Sequence, residues 1–276
     1  MKFSKNACPV IMAGAPRSGT TFLTTSLNVH PQVVITNELR AWSAFGDLQR
    51  RTDKPNQILP EHPLRDDFKS FMEEGFGSVF KNFYKSLNYN SEIGCARSTK
   101  RSKLNEIRAF GDKNPGYADA NQPGCLDLIV RAMPDVKFLH IHRDPRSCVA
   151  SYVQTDVYSN DLDKCIDIWL RHISSMALLR DKLGSDRVLD ISYEQYVTRA
   201  GEALFRRIES FLSLDKADEP ISFLERERRE PIPYRSPVTP LKDLGKTTFE
   251  SILSKGEIEK IEEKCQSFMG RYGYLS

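Results

Sequence analysis

Pro9-Val10-Ile11-Met12-Ala13-Gly14-Ala15-Pro16-Arg17-Ser18-Gly19-Thr20-Thr21-Phe22-Leu23 is an apolar strand, a loop bounded by glycines and the opening of a helix. A loop of this kind turns backbone N–H groups toward a phosphate at a helix N-terminus. A nucleotide triphosphatase loop reads G-x-x-x-x-G-K-[ST], its Lys reaching the β- and γ-phosphates. Gly14 and Gly19 keep that spacing, but Thr20 stands at the lysine position and the cation, Arg17, lies inside the loop. The cradle without the triphosphate lysine predicts a different nucleotide. A strand-to-helix turn with no ligand uses the same glycines, so the rest of the chain has to decide.

Apolar runs at 33–36, 136–142 and 187–192 join 9–13 as predicted strands. Helical periodicity marks 20–29, 67–87, 122–132, 145–155, 162–183, 201–212 and 255–271, the last stopped by Gly273. Strands alternating with longer helices predict an α/β fold, a central mostly parallel sheet flanked by helices. Periodicity weakens over 41–105, read as an insertion over the sheet edge on the acceptor side, and over 226–246, a Pro-rich charged stretch read as an active-site loop. Residues 1–276 are otherwise read as one domain, with 39% apolar and 28% charged residues.

A net charge of +3 argues against nucleic acid as a partner and requires any anion site to be local. Apolar runs fall short of the roughly 20 residues that span a bilayer, and the first residues do not read as a signal peptide. The six cysteines (Cys8, Cys95, Cys125, Cys148, Cys165, Cys265) have no C-x-x-C spacing, which predicts reduced thiols, a cytoplasmic location and no zinc site.

A second anion signal, His142-Arg143-Asp144-Pro145-Arg146-Ser147-Cys148-Val149-Ala150-Ser151, follows the strongest strand and opens a helix. It sits where open α/β sheets bind ligands, and the arginine fork matches a phosphate. Asp144 is also a natural helix cap, which leaves Arg143 and Ser151 unexplained. Together the two loops resemble those of sulfotransferases that use 3′-phosphoadenosine-5′-phosphosulfate (PAPS). The resemblance implies a P-loop nucleotide-binding fold, with Arg17, Ser18, Gly19, Thr20 and Thr21 on the 5′-phosphosulfate and Arg143 and Ser151 on the 3′-phosphate.

The run from Arg17 to Arg40 contains Arg-Ser-Gly-Thr-Thr, His30-Pro31-x-Val33 and Glu38-x-Arg40. It is similar to the tyrosylprotein sulfotransferase pattern, in which the Glu at Glu38 is the general base; read without that likeness, Glu38 is a surface partner of Arg40. Gly111-Asp112-Lys113-Asn114-Pro115 resembles the family's K-x-P element, implying that Lys113 neutralises charge on the leaving phosphate; a capped turn fits the same residues. Tyr193 resembles the tyrosine that approaches the adenosine. Ser236 in Arg235-Ser236-Pro237 and Lys246 in Leu244-Gly245-Lys246 resemble a serine facing the phosphosulfate and a basic residue closing over the 3′-phosphate, although the Trp expected after Lys246 is Thr247. Trp169 reads as core packing, and no His is read as the base.

The function so implied is transfer of a sulfuryl group from PAPS to an acceptor hydroxyl, such as a tyrosine or other phenol, a glycan or a natural product. Glu38, Arg17, Lys113 and Ser236 carry the chemistry, 3′,5′-adenosine bisphosphate is the product, and a homodimer is admitted. No metal is expected, since a sulfuryl group carries less charge than a γ-phosphoryl. The rivals are a small-molecule kinase using ATP, disfavoured by Thr20, and a non-catalytic nucleotide-binding protein, disfavoured by Glu38 together with Lys113.

Overall fold

The computed structural model describes residues 2–53, 65–86, 106–119, 124–155, 158–229 and 248–275. Five strands, β1 (Lys2–Ala13), β2 (Val33–Asn37), β3 (Glu106–Lys113), β4 (Lys137–His142) and β5 (Val188–Ser192), form one sheet in the order β2-β3-β1-β4-β5. Every neighbouring pair is parallel. The period-2 alternation of a strand divides its side chains between two helical layers. Ile11 and Ala13 of β1 face one core and Val10 and Met12 the other.

The first core packs the sheet against α2 (Ala41–Asp53), α3 (Arg65–Ser86) and α4 (Cys125–Ala132) through Trp42, Phe45, Phe80, Tyr84 and Ile129. The second packs it against α1 (Thr20–Val29), the short α7 (Tyr193–Tyr196), α8 (Gly201–Phe211) and α9 (Glu219–Arg229) through Leu23, Tyr196, Phe205 and Phe223. A third joins α5 (Pro145–Thr155), α6 (Leu162–Leu183) and α10 (Lys255–Tyr272) around Trp169, buried as expected.

Three elements depart from the sequence reading. β3 is a strand next to the central β1, although its buried residues include the charged Asp112 and Lys113. Much of 41–105 is helical and part of the core: α2 and α3 cover the β2–β3 side of the sheet. Helix α3 matches the helix read at 67–87 and buries Phe80 and Tyr84, while Phe71, Val79 and Phe83 are exposed; what departs is α2 and the share both helices take in the core. Helix α9 runs to Arg229, so the charged stretch expected as a loop from 226 begins as helix.

The chain leaves β1 for β2 and β3 on one side of it, then crosses to β4 and β5 on the other. The carboxyl ends of β3, β1 and β4 therefore meet at the point where a parallel sheet reverses its winding, the usual ligand crevice of such folds.

Candidate active site

The loop after β1 is built for close approach. A Cβ on Gly14 would lie 2.3 Å from the carbonyl oxygen of Ile141, so only glycine lets β4 run this near. Gly19 is left-handed (φ 93°) at the head of α1, and a Cβ there would lie 2.3 Å from the Tyr193 ring. Residues 14–19 thus turn sharply into α1, whose first N–H groups have no intrahelical acceptors and carry the positive end of the helix dipole. Ser18 Oγ is buried and has no hydrogen-bond partner among the described residues.

The second loop docks on the first. Arg143 donates to the carbonyl oxygen of Arg17 at 3.1 Å, and Arg17 Nε donates to Ser151 Oγ at 2.9 Å. The sequence assigned Arg17 and Ser151 to opposite ends of one nucleotide; here they are bonded to each other. The Arg143 guanidinium lies 4.6 Å from the centre of the Tyr193 ring, the geometry of a cation–π contact. Trp169 Nε1 donates to the Arg143 carbonyl oxygen at 3.2 Å, so this core tryptophan braces the loop. Tyr152 of α5 ties the loops further, its hydroxyl donating to the Pro16 carbonyl oxygen at 2.7 Å. Asp144 accepts from the Arg146 backbone N–H at 2.8 Å and takes the Arg146 fork at 2.7 Å, which confines Arg146 to shaping the loop.

The end of β3 supplies the third part. Lys113 pairs in register with Met12 on one side and Asn37 on the other, so its side chain arises level with the ends of β1 and β2. It is 1% exposed, and its Nζ donates to Glu38 Oε1 at 2.8 Å and to Thr21 Oγ1 at 3.4 Å. Glu38 is 42% exposed and so open to a second molecule. It pairs with Lys113, not with Arg40 as its sequence neighbours alone suggested. Its backbone N–H donates to the Lys113 carbonyl oxygen at 2.7 Å. The neighbouring Asp112 carboxylate, pushed up by burial, accepts from Thr36 Oγ1 at 2.7 Å, the Leu39 N–H at 3.1 Å and the Tyr117 hydroxyl at 2.6 Å. These bonds tie the turn carrying Glu38 to β3. Asn114 caps the following 3-10 turn by accepting the Gly116 N–H at 2.9 Å, so one short motif is both capped turn and site.

Backbone strain gathers here. Of the four described non-glycine residues with positive φ, three are Arg17 (63°), Glu38 (58°) and Arg40 (58°). Each left-handed residue costs about 1–2 kcal/mol, which the surrounding contacts must offset. Tyr158 is a component that sequence reasoning missed. It is 42% exposed, its ring centre lies 5.0 Å from that of Tyr152, and its hydroxyl is close enough to feel the charges of Arg17 and Glu38. Burial raises its pKa, Arg17 lowers it and Glu38 raises it. Its setting in a polar stretch after α5 carries no sequence signal.

The structure therefore brings together Arg17, Ser18, Gly19, Thr20, Thr21, Glu38, Lys113, Arg143, Ser151 and Tyr193. Ser236 and Lys246 lie outside the described residues. His30, His140 and His142 are buried and bonded elsewhere: His30 to the Asp215 carbonyl oxygen, His140 to Asp190 and His142 to Tyr274. Among the described residues no helix is long and apolar enough to cross a membrane, and no His, Cys, Asp and Glu group is arranged to hold a metal.

The chain is 26% identical over 216 residues to protein-tyrosine sulfotransferase A of Caenorhabditis elegans, covering 76% of this chain and 51% of that protein. It spans about half or less of the curated relatives it matches, with shares of 51%, 38% and 54%. The sulfotransferase domain of the Synechococcus PCC 7002 olefin synthase superposes with a TM-score of 0.57 at 16% identity, covering 97% of this chain and 98% of that one. Mouse sulfotransferase SULT7A1 complexed with PAP superposes with a TM-score of 0.50 at 13% identity, covering 98% of this chain and 86% of that one. These likenesses establish a shared fold. The family model described as "Sulfotransferase family" matches residues 9–219, from the first strand through both loops, and the chain belongs to the sulfotransferase family.

Proposed function

We propose that this chain moves a sulfuryl group from PAPS to an acceptor hydroxyl, residues 1–276 acting as one domain. The observation that carries this reading is the Lys113 ammonium between Glu38 Oε1 and Thr21 Oγ1, beside a loop that lacks the triphosphate lysine. A buried cation next to a half-exposed carboxylate suits a reaction that removes a proton on one side and gathers negative charge on the other.

The residues present fit such a nucleotide. Ser18 Oγ, without a partner among the described residues, the first-turn N–H groups of α1 and the guanidinium groups of Arg17 and Arg143 are donors gathered at one place. PAPS supplies a sulfuryl group already activated by its 5′-phosphate, and 3′,5′-adenosine bisphosphate is what remains. Glu38 takes the proton of the acceptor hydroxyl as that oxygen attacks. Lys113, Arg17 and the N–H groups of Gly19–Thr21 offset charge on the departing phosphate oxygen; the Ser18 N–H, expected among them, is given to the Ala15 carbonyl oxygen at 3.2 Å. Because they are held before the reaction begins, they favour the transition state over the ground state. Arg143 and Ser151 hold the 3′-phosphate, with Tyr193 on the adenosine side. Ser236 and Lys246 are assigned to the phosphosulfate and the 3′-phosphate from the resemblance alone.

Tyrosine or another phenol is the acceptor class suggested by the name of the C. elegans relative, with glycan and natural-product hydroxyls as alternatives. The five described cysteines are free thiols, which suits a reducing compartment, and a cytoplasmic location is part of the proposal. A homodimer is proposed on no more than the family likeness.

The test is calorimetric binding of 3′,5′-adenosine bisphosphate against ATP with Mg²⁺. Micromolar binding of the bisphosphate, lost in Arg143→Ala, with little binding of ATP, supports the reading. Preference for ATP with Mg²⁺ overturns it in favour of a kinase.

A further inference from the structure

The segment after α10 takes no part in the chemistry above, yet it reaches the second phosphate loop. Gly273 is left-handed (φ 76°), and the Tyr274 N–H donates to the Met269 carbonyl oxygen at 2.8 Å. This bond pattern reverses a chain at a helix end and returns Tyr274 toward 142–144. The Tyr274 hydroxyl donates to Glu194 Oε2 at 3.0 Å. That bond uses its one proton, so its 2.7 Å contact with His142 Nδ1 must be donated by the ring. Burial holds the His142 imidazole down at about 3, so the ring is neutral with its proton on Nδ1. Glu194 Oε1 accepts the Asp144 backbone N–H at 2.9 Å, and Oε2 also accepts from Ser192 Oγ at 3.1 Å. Arg146, already forked onto Asp144, donates to the Tyr274 carbonyl oxygen at 3.3 Å.

The residue beside Arg143 is thus held at its backbone by Glu194, and Glu194 is aimed by Tyr274. Arg143 itself lies on the ring of Tyr193, the neighbour of Glu194, so the single turn of α7 holds both the backbone and the guanidinium of this loop.

We propose that Tyr274 is a positioning residue for Arg143, its hydroxyl fixing Glu194 and, through the Asp144 N–H, setting how Arg143 meets a 3′-phosphate. The inference rests on the reading of Arg143 given above. It makes 3′-phosphate recognition depend on a side chain about 130 residues away in sequence.

The experiment compares calorimetric affinities for 3′,5′-adenosine bisphosphate and for 5′-AMP, which lacks the 3′-phosphate, in the parent, Tyr274→Phe and Glu194→Gln, all as the full chain. The parent is expected to prefer the bisphosphate. Tyr274→Phe should weaken bisphosphate binding by about tenfold, the worth of one hydrogen bond to a charged group, and leave 5′-AMP binding unchanged. Glu194→Gln places an amide where a carboxylate oxygen accepted from two hydroxyls and should lower the same ratio. Variants that keep the parent's ratio, even with a lower melting temperature, overturn the positioning role. A parent with no preference for the bisphosphate overturns the assignment of Arg143 and, with it, this proposal.

Discussion

Replacing Glu38 by Gln tests the proposed chemistry most directly, because the carboxylate is asymmetrically placed. Its partner Lys113 is 1% exposed, whereas Glu38 is 42% exposed. Losing the negative charge therefore harms the lysine more than losing the lysine would harm the glutamate, which water can resolvate. The Gln oxygen can still accept from Lys113 Nζ, so the stability loss should be about 1 kcal/mol, the difference between a charged and a neutral acceptor. That is less than the roughly 3–5 kcal/mol of leaving a fully buried charge without its partner. Affinity for 3′,5′-adenosine bisphosphate should stay the same or rise, since an anion leaves the neighbourhood of an anionic ligand. Turnover should fall by about 10²–10⁴, the usual contribution of a positioned general base. Each tenfold is about 1.4 kcal/mol, so about 3–5 kcal/mol of barrier is at stake. The assay is transfer of labelled sulfate from PAPS to a phenolic acceptor, with calorimetry on the same preparations. A variant that keeps more than a tenth of parental turnover while binding the bisphosphate normally would refute Glu38 as the base. Loss of turnover and nucleotide affinity together would assign Glu38 to holding Lys113 in place.

Gly19→Ala puts a Cβ 2.3 Å from the Tyr193 ring at φ 93°; the variant should unfold several degrees lower and bind the bisphosphate at least tenfold more weakly, and unchanged melting and binding would show that the loop can relax. Tyr158→Ala should raise KM for phenolic acceptors several-fold with nucleotide affinity unchanged, because the half-exposed ring packs on Tyr152, whose hydroxyl bonds the first loop; equal KM values would remove Tyr158 from the acceptor site. Burial lowers the pKa of His142 to about 3 and also lowers those of His30 and His172. Below the unfolded value of about 6.5 the unfolded chain binds more protons than the folded one, so stability is present above that pH and is lost as pH falls toward 3. Unfolding free energies from urea titrations between pH 7.5 and 4.5 should decline by up to about 1.4 kcal/mol per pH unit for each such ring, and a flat profile would contradict neutral burial.

Strand, loop and helix at 9–23 were legible because the glycine spacing, apolar run and helix opening are all local in sequence. The same holds for the Arg143–Ser151 loop, for the stop at Gly273 and for the α/β alternation. β3 was not legible. Its last residues, Asp112 and Lys113, are charged, and only the sheet on both sides, the bonds to Asp112 and the pairing of Lys113 with Glu38 make their burial tolerable. Helix α3 was legible at 67–87, whereas α2 lay in a stretch whose periodicity is weak. The left-handed backbone at Arg17, Glu38 and Arg40 leaves no trace in residue type, since contacts made after folding hold it. The sequence by itself determined the two loops and the strand ends that carry them, since these follow from short-range spacing and side-chain chemistry. Only the tertiary structure decided that Glu38 pairs with Lys113 75 positions on, that Arg17 bonds Ser151 134 positions on, and that Tyr274 bonds Glu194 80 positions back. Contacts at such separations depend on strand order and crossover, which no local pattern encodes.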